Sequence, residues 1–304
     1  MELIFLGTGA GLPSKERNVS SVALTLLQEQ NNIWLFDCGE ATQHQILRTS
    51  IKPKKINKIF ITHLHGDHIF GLPGLLSSRS FQGGEELLTI YGPHGIKEYV
   101  NTSLQLSGTH LTYPINIVEL SEGKLFENDQ FVVETKHLDH GLPSFGFRII
   151  EKDKPGQLLV SKLKEIGIMP GPIYKQIKEN SKIKLSNGQY IYRKEFLGED
   201  KKGRVISILG DTRFTHVNSN FVKNSDVLVH EATFGGALED LAEKYYHTTT
   251  EQAARLAKSS NCSKLILTHI SSRYQSEDIE NLIDEARRIF PNTEIANDFT
   301  HINL

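Results

Sequence analysis

The densest group of potentially reactive side chains is the segment HLHGDH at residues 63–68, which combines three imidazoles with one carboxylate. It follows an apolar run at residues 58–61 that has the composition of a buried strand. Loops at strand ends are where layered α/β proteins usually carry their active sites, and side chains of these types can converge there on a metal ion. The pattern therefore predicts a metal centre. The alternative is a solvated polar loop, but it would not explain why four ligand-type residues lie together at the end of a buried strand.

Nitrogen and oxygen atoms must supply the ligands of such a centre. The chain contains two cysteines, Cys38 and Cys262, too few and too far apart for a thiolate cluster or a framework of disulfides. Imidazole and carboxylate ligands suit zinc, although manganese and iron accept the same ligand types. The residue types thus predict a metal site with imidazole and carboxylate ligands.

Further candidate ligands follow other predicted strands. They are His137 or His140 in the segment HLDH at residues 137–140, Asp211 after the strand at 205–209, and His269 after the strand at 264–268. Spacing alone leaves His137 nearly as good a candidate as His140. Taken singly, Asp211 could equally cap a turn or a helix, and His269 could be a structural histidine at a strand end. Position and residue type alone therefore do not assign them to the metal centre.

The elements that would position these residues form two β-rich halves, each ending in helices. The predicted strands span residues 2–6, 21–27, 33–37, 58–62, 87–91, 115–119, 131–136, 145–150, 205–209, 227–230 and 264–268. The predicted helices span residues 70–79, 95–106, 249–258 and 276–290. These assignments rest on short apolar runs bounded by turn residues and on the periodicity of the later segments. We therefore expect an α/β fold in which two sheets pack face to face.

Residues 152–203 fit neither half of this pattern. The segments KPG at 154–156 and MPGP at 169–172 interrupt it, and it lacks a long apolar run that could form a core of its own. From Lys152 to Lys194 there are ten basic residues against three acidic ones, a charge of +7 in a chain whose net charge is −2. Long excursions of this kind are usually functional or disordered. The segment is predicted to be a basic, flexible, projecting arm, the alternative being a solvated lysine-rich insertion.

The pattern HxHxDH after a strand resembles the signature of the metallo-β-lactamase superfamily. Every other ligand that this resemblance implies has a counterpart in the chain, and it selects His140 over His137. The resemblance implies that one zinc ion is held by His63, His65 and His140, a second by Asp67, His68 and His269, and that Asp211 bridges both. It also implies a single domain over residues 1–304, an αβ/βα four-layer sandwich of two β-sheets flanked by helices, with the arm inserted.

A closer resemblance, to the tRNase Z family within that superfamily, begins with the segment HEAT at residues 230–233 and the later His247. It implies that Glu231 orients His247, that His247 acts on the leaving group, and that Asp67 orients the attacking water. The alternative places Glu231 and His247 on the surface, with His247 beside a capping box formed by Thr248 and Glu251.

Substrate contacts are implied by the same resemblance. The segment PSKERN at residues 13–18 is similar to the family's substrate-contacting loop, which implies contacts from Lys15 and Arg17, although a plain charged turn would have the same composition. The arm stands where the family carries its flexible tRNA-binding site. This implies contacts with tRNA from Gly171, Pro172, Lys175 and Lys178.

The resemblance extends over the whole chain and implies a zinc-dependent endoribonuclease that cuts the 3′ trailer from precursor tRNA after the discriminator nucleotide. The tRNA would keep a 3′ hydroxyl and the trailer a 5′ phosphate, and by analogy the enzyme would be a homodimer. A small-molecule hydrolase, such as a cyclic-nucleotide phosphodiesterase or an arylsulfatase-like protein, would not need the basic arm. An RNA-binding protein with a degenerate site is disfavoured because the ligand positions are intact. Without a basic leader or a long apolar stretch, a cytoplasmic protein with no membrane association is expected.

Overall fold

The computed structural model describes residues 1–185 and 188–304. In these residues the chain forms two compact units. The large unit comprises Met1–Glu127, Val132–Ile149 and Val205–Leu304, and the small unit comprises Asn128–Phe131 and Ile150–Arg204. The candidate ligands at positions 63–68, 140, 211 and 269 all belong to the large unit. The fold of that unit therefore determines the geometry of the candidate site.

Two seven-stranded sheets form the centre of the large unit within the residues described. The first sheet contains, in order across it, β18 (His301–Asn303), β1 (Glu2–Gly7), β3 (Ser21–Leu26), β4 (Asn32–Phe36), β5 (Ile56–Phe60), β6 (Leu88–Gly92) and β7 (Ile115–Glu119). The second contains β17 (Thr293–Ile295), β15 (Leu265–Thr268), β14 (Val227–Glu231), β13 (Val205–Leu209), β10 (Ser144–Glu151), β9 (Phe131–Leu138) and β8 (Gly123–Glu127). Strands β4 to β7 run parallel, as do β13, β14, β15 and β17. Because parallel strands end at a common edge, the loops that follow them can gather their side chains there.

Aromatic rings fill the space between the two sheets. Phe60 of β5 stacks on Phe36 of β4 with ring centroids 4.7 Å apart, and it meets Phe147 of β10 in the second sheet at 5.2 Å. Trp34 of β4 meets Phe126 of β8 at 5.6 Å. Full burial of a large apolar side chain stabilises the fold by roughly 1.5–3 kcal/mol. This packing fixes the separation of the sheets, and with it the starting points of the loops at their edge.

In the large unit, helices flank the sheets. These helices are α1 (Thr42–Leu47), α2 (Gly66–Ile69), α3 (Leu72–Phe81), α4 (Ile96–Leu106), α8 (Asn218–Phe221), α9 (Glu239–Lys244), α10 (Thr250–Ser259) and α11 (Ser276–Ile289), with short 3₁₀ turns at Pro53–Lys55 and Gly236–Leu238. The small unit contains α5 (Val160–Glu165), α6 (Pro172–Glu179) and α7 (Arg193–Phe196). Leu72 and Leu76 of α3 share a core with the first sheet, and Ala253 and Ala257 of α10 share one with the second. The resulting order of helix, sheet, sheet and helix is the four-layer arrangement that the family resemblance implied.

The small unit has a hydrophobic core of its own, so the expectation that residues 152–203 lack one was wrong. Helices α5, α6 and α7 and the hairpin of β11 (Lys182–Lys184) and β12 (Tyr190–Tyr192) contribute to it. Its buried side chains are Leu163, Ile168, Ile177, Ile191 and Phe196. The core was not visible in the sequence because these residues come singly, with no apolar run. Near the two ends of the segment Ile150–Arg204, Lys154 and Lys201 exchange backbone hydrogen bonds of 2.9 and 2.8 Å.

Most predicted boundaries lie within one or two residues of the observed ones. The helix predicted at 70–79 begins at Leu72, because the motif residues before it form the separate helix α2. The capping box of α10 is formed by Thr249 and Gln252, one residue later than the alternative that the sequence offered. The edge strands β8, β17 and β18 were not predicted, since short, half-polar edge strands carry little periodicity. Among the helices described, none has the length and apolar character needed to span a membrane.

Candidate metal centre

The candidate ligands lie on loops or short helices that follow strands of the large unit. The motif at residues 63–68 follows β5 and runs into α2, Asp211 follows β13, and His269 follows β15. His269 has a φ of 57°, a left-handed conformation that is uncommon for residues other than glycine and is concentrated at functional sites. Directly after it, β16 (Ile270–Ser271) pairs with β2 (Gly9–Ala10). Strand pairing thus holds the backbone directly before and directly after His269.

The ring nitrogens of His63, His65 and His140 converge. His63 Nε2 is 3.0 Å from His65 Nδ1, and His140 Nε2 is 3.2 Å from the same His65 atom. Ligands at 2.0–2.1 Å from a tetrahedral zinc ion lie about 3.3–3.4 Å apart. These three nitrogens are therefore spaced as ligands of one ion would be.

Asp67, His68 and His269 form a second group. His68 Nε2 is 3.4 Å from His269 Nε2, and Asp67 Oδ2 is 3.3 Å from His269 Nε2 and 3.5 Å from His68 Nε2. These separations again match the edges of a tetrahedral site. The fold thus places two sets of three potential ligand atoms next to each other.

Asp211 stands between the two groups. Its Oδ2 atom is 3.7 Å from His63 Nε2, 3.5 Å from His68 Nε2 and 3.3 Å from His269 Nε2. Burial alone would raise the pKa of this carboxyl, but the facing imidazoles, His269 first, hold it well below its usual range. Asp211 is thus an ionised carboxylate whose one oxygen faces both groups, as a bridging ligand would.

The ring nitrogens that face away from the centre have protein partners. These are Thr62 Oγ1 for His63 at 2.9 Å, Asp37 Oδ2 for His68 at 2.8 Å, Thr233 Oγ1 for His269 at 2.9 Å and the Tyr246 carbonyl for His140 at 2.9 Å. Metal-binding histidines are commonly fixed in this way, because the outer hydrogen bond sets the ring orientation and the tautomer. The pattern fits a metal site better than a set of unrelated buried histidines.

The sequence did not identify Asp37 as part of the site. Asp37 adopts a left-handed backbone with φ of 56°, and its carboxylate accepts hydrogen bonds from the Thr62 N–H at 2.7 Å and the Thr62 hydroxyl at 2.9 Å as well as from His68. Its position at the end of a predicted strand is the one sequence signal that could have found it.

The protonation of His63 agrees with a ligand role. Its side chain is fully buried, and burial, followed by the neighbouring His68, lowers its pKa well below the usual range. A neutral imidazole keeps a lone pair for a metal ion. The donor types, the spacings of the ligand atoms and the outer hydrogen bonds of the histidines together indicate a metal-binding site.

Glu231 and His247 lie beside the second group and are joined by a hydrogen bond of 2.9 Å between Glu231 Oε1 and His247 Nδ1. Glu231 is buried and also accepts the backbone N–H groups of Thr233 and Thr248, each at 3.0 Å. Burial alone would lower the pKa of His247, but the Glu231 carboxylate raises it to about 9. His247 Nδ1 is also 3.9 Å from Asp211. The bond to Glu231 leaves Nε2 as the nitrogen available to other partners.

A cavity of about 720 Å³ opens onto the centre. Its lining includes the candidate ligands His65, Asp67, His140, Asp211 and His269, together with His247. Apolar side chains, among them Leu12, Phe70 and Tyr245, form other parts of the lining. The site can therefore admit a ligand much larger than a water molecule.

Polar contacts with residues near both ends of the sequence hold the loop at residues 11–18 in place. Arg17 is 8% exposed and donates from Nη1 to Thr8 Oγ1 at 2.7 Å and to the Ala296 carbonyl at 2.6 Å. The Asp298 carboxylate accepts from the Asn18 N–H and from the Thr8 hydroxyl, both at 2.8 Å. At the near end of the loop, Gly11 N–H donates to Asp67 Oδ2 at 2.8 Å. The loop is thus tied to the centre.

The remaining candidate residues lie elsewhere. Lys15 is exposed and lines a separate cavity of about 540 Å³, and the buried position of Arg17 does not favour direct contact with a substrate. His137 is exposed, its ring 5.3 Å from that of Phe145, and among the described residues it joins none of the groups of potential metal ligands. The candidate arm residues Gly171, Pro172, Lys175 and Lys178 are exposed at or near α6 in the small unit.

The fold and the ligand set define a metallo-β-lactamase-fold hydrolase. Among solved structures, human tRNase Z, short form, superposes with a TM-score of 0.73 at 32% identity, over 100% of this chain and 99% of that one. The metallo-β-lactamase fold protein YhfI from Bacillus subtilis has a TM-score of 0.69 at 18% identity, over 99% and 98%, and supports the fold alone. The predicted fold class is confirmed.

Comparison with related sequences shows which family of this class the chain belongs to. Ribonuclease Z of Oceanobacillus iheyensis is 66% identical over 302 residues, 99% of both chains, and that of Geobacillus kaustophilus is 57% identical over 304 residues, 100% of this chain and 99% of the relative. A family model described as Anti-Pycsar protein Apyc1 matches residues 1–161, a half without Asp211, His247 or His269. The chain belongs to the ribonuclease Z family over its whole length, and over its first half also to the family that this model describes. The predicted membership, as a hydrolytic endoribonuclease, is confirmed.

Proposed function

We propose that this chain removes the 3′ trailer of precursor tRNA by hydrolysing one phosphodiester bond after the discriminator nucleotide. Membership of the ribonuclease Z family supports the reaction class. The observation that carries the proposal is that one cavity is lined by members of both groups of potential metal ligands and by His247, which is hydrogen-bonded to Glu231. Such a site can activate a water and protonate a departing oxygen, the two needs of phosphodiester hydrolysis.

Two zinc ions per chain are the proposed cofactor. His63, His65 and His140 would hold one, Asp67, His68 and His269 the other, and Asp211 both. The spacings support this division because they match two tetrahedral sites that share a carboxylate. When bound, two zinc ions lower the pKa of a shared water toward about 7 and offset the charge that develops on the phosphate.

Asp67 and His247 have different roles in this proposal. Asp67 is fixed by the Gly11 N–H at Oδ2 and would orient the attacking water as it completes the second ligand group. His247, held by Glu231 at Nδ1, would donate a proton from Nε2 to the departing 3′ oxygen. The tRNA would then keep a 3′ hydroxyl and the trailer a 5′ phosphate.

Replacing His247 by alanine should lower kcat by about 10²- to 10⁴-fold, the usual contribution of a general acid, and leave the zinc content unchanged. Single-turnover cleavage and elemental analysis of the same preparation measure both quantities. His137→Ala, which removes an exposed histidine outside the ligand groups, is the matched control and should retain activity. Loss of a zinc ion from the His247 variant would show that His247 is a ligand, a role that its proximity to Asp211 and His269 permits.

Substrate binding is proposed to use both units. Exposed lysines of the small unit, Lys175 and Lys178 among them, would contact phosphates of the tRNA body together with Gly171 and Pro172. Lys15 would approach the substrate from the loop at 11–18, whereas Arg17 would support that loop from beneath. By analogy with the family we propose a homodimer in which the small unit of one subunit serves the cavity of the other. The cytoplasm is proposed as its location because precursor tRNA would be its substrate.

The experiment that tests the function is incubation of the zinc-loaded protein with a 3′-extended precursor tRNA transcript. We expect one cut, directly after the discriminator nucleotide, with a 5′ phosphate on the released trailer. Mapping both ends to the nucleotide distinguishes this result from general degradation. An intact transcript, together with hydrolysis of a cyclic nucleotide, would contradict the proposal and favour a small-molecule phosphodiesterase.

A further inference from the structure

Two exposed aromatic side chains line the cavity of the metal centre, and none of the roles above uses them. Phe70, which directly follows α2, is 65% exposed, and Tyr245, which directly follows α9, is 54% exposed. Leu12, 58% exposed, lies in the same lining. Apolar surface gains free energy when it leaves water, so exposed rings gathered in a functional cavity indicate a ligand with an apolar face.

The ring of Phe70 is fixed by the metal motif itself. A Cβ atom on Gly66 would lie 2.2 Å from Phe70 Cε2 and 2.4 Å from Cζ, so the ring lies directly against the backbone of the motif. Glycine is the residue that leaves room for it. The ring is thereby held beside Asp67 while most of its surface stays in contact with solvent.

The position of Tyr245 is fixed by the turn that carries His247. The Tyr245 N–H donates to the Leu241 carbonyl at 3.1 Å and the His247 N–H to the Ala242 carbonyl at 2.8 Å, while Tyr246 between them has a φ of 60°. Lys244 Nζ lies 5.6 Å from the centroid of the Tyr245 ring. This aromatic side chain is therefore close in sequence to the proposed proton donor and has a cation as neighbour.

We propose that Phe70 and Tyr245 stack on the two nucleobases that flank the scissile phosphodiester, one ring on each base. The inference rests on the proposed function, because it requires RNA at the metal centre. A phosphodiester placed there has one nucleotide on each side, and the two rings come from different segments of the cavity lining, Phe70 after the motif and Tyr245 before His247. Stacking engages the face that every base has, so it positions RNA without selecting a sequence.

The test combines protein variants with abasic substrates. Phe70→Ala and Tyr245→Ala should each raise KM or lower kcat/KM for precursor tRNA between about fivefold and a hundredfold, the range for loss of one stacked base. Phe70→Tyr and Tyr245→Phe keep the rings and should restore cleavage, whereas Phe70→Leu should not. Phe81→Ala is the matched control, because Phe81 is 90% exposed at the end of α3 and lies outside the described lining of the cavity.

Two further transcripts lack the base of either the discriminator nucleotide or the first trailer nucleotide. If each ring stacks on one base, the penalty of each alanine variant disappears on one abasic transcript, a different one for each variant. A penalty that persists on both transcripts would overturn the inference and assign the rings a structural role. Wild-type protein that fails to cut the normal transcript would instead contradict the proposed function, so the two failures are distinguishable.

Discussion

Replacing Asp67 by alanine should slow cleavage of precursor tRNA by roughly a thousandfold or more. The change removes a proposed ligand atom of the second group and the carboxylate proposed to orient the attacking water, two contributions to the same chemical step. It also frees the Gly11 N–H, which now donates to Asp67. Single-turnover rates on a 3′-extended transcript give the size of the loss.

Zinc content makes this prediction specific. We expect about two zinc ions per wild-type chain and about one in the Asp67→Ala variant. Asp67→Asn, which keeps the shape but not the charge, should also be strongly impaired. Asp240→Ala changes an exposed carboxylate of α9 outside the ligand groups and should behave as wild type. A wild-type content of one ion that the Asp67 change leaves unaltered would contradict the two-zinc proposal.

Replacing residues 155–200 by a short Gly-Ser linker should reduce precursor tRNA cleavage by at least about a hundredfold and flatten its dependence on salt, because the segment carries the lysines that we propose to bind tRNA phosphates. Lys154 and Lys201 are joined by two backbone hydrogen bonds, so a short linker can connect them. Hydrolysis of a small chromogenic phosphodiester should change by less than about tenfold, since every proposed ligand lies in the large unit. Loss of that activity in a folded variant would make the segment part of the active site.

A second variant separates charge from the core of the small unit. Lys175, Lys178, Lys182 and Lys184 are exposed, and changing all four to glutamine spares the buried residues of that unit. The slope of log affinity against log salt should fall by up to about 3, that is about 0.7 to 0.9 for each tRNA phosphate that the variant no longer neutralises. An unchanged slope would show that these lysines do not bind tRNA phosphates.

Mixing two inactive proteins tests the proposed homodimer. One partner lacks residues 155–200, and the other carries Asp67→Ala. If the small unit of one subunit serves the cavity of the other, mixed dimers should recover cleavage, because each intact part then belongs to a different chain. If cleavage activity does not recover under conditions where subunits exchange, the small unit of one subunit does not serve the cavity of the other.

The sequence could predict much of the site because the ligand-type residues are concentrated after strands. The motif at 63–68 contains four such residues and directly follows an apolar run, and both signals are local. Residues whose roles depend on distant partners could not be predicted. Asp37 is an ordinary aspartate at a strand end until the fold brings Thr62 and His68 to its carboxylate. Arg17 resembled a substrate contact, yet its guanidinium bonds to the Ala296 carbonyl, 279 residues away along the chain.

The same distinction applies to the fold. The two sheets were predictable in outline because their central strands are mostly apolar and buried throughout, as β3 and β14 are. The core of the small unit was missed because Leu163, Ile177 and Phe196 are separated by polar residues and meet through turns that no period describes. Tertiary contacts, not local preferences, make that segment compact.

The contacts beneath the loop at 11–18 impose an order on the biosynthesis of this enzyme. Ala296 and Asp298 hold that loop, and β18 follows them and pairs with β1 at the edge of the first sheet. A nascent polypeptide carries the motif at 63–68 early, yet it lacks His269 until synthesis passes residue 269, and it lacks Ala296 and Asp298 until synthesis passes residue 298. A growing chain therefore cannot complete the candidate metal centre and the contacts that hold this loop before residue 298 has been translated.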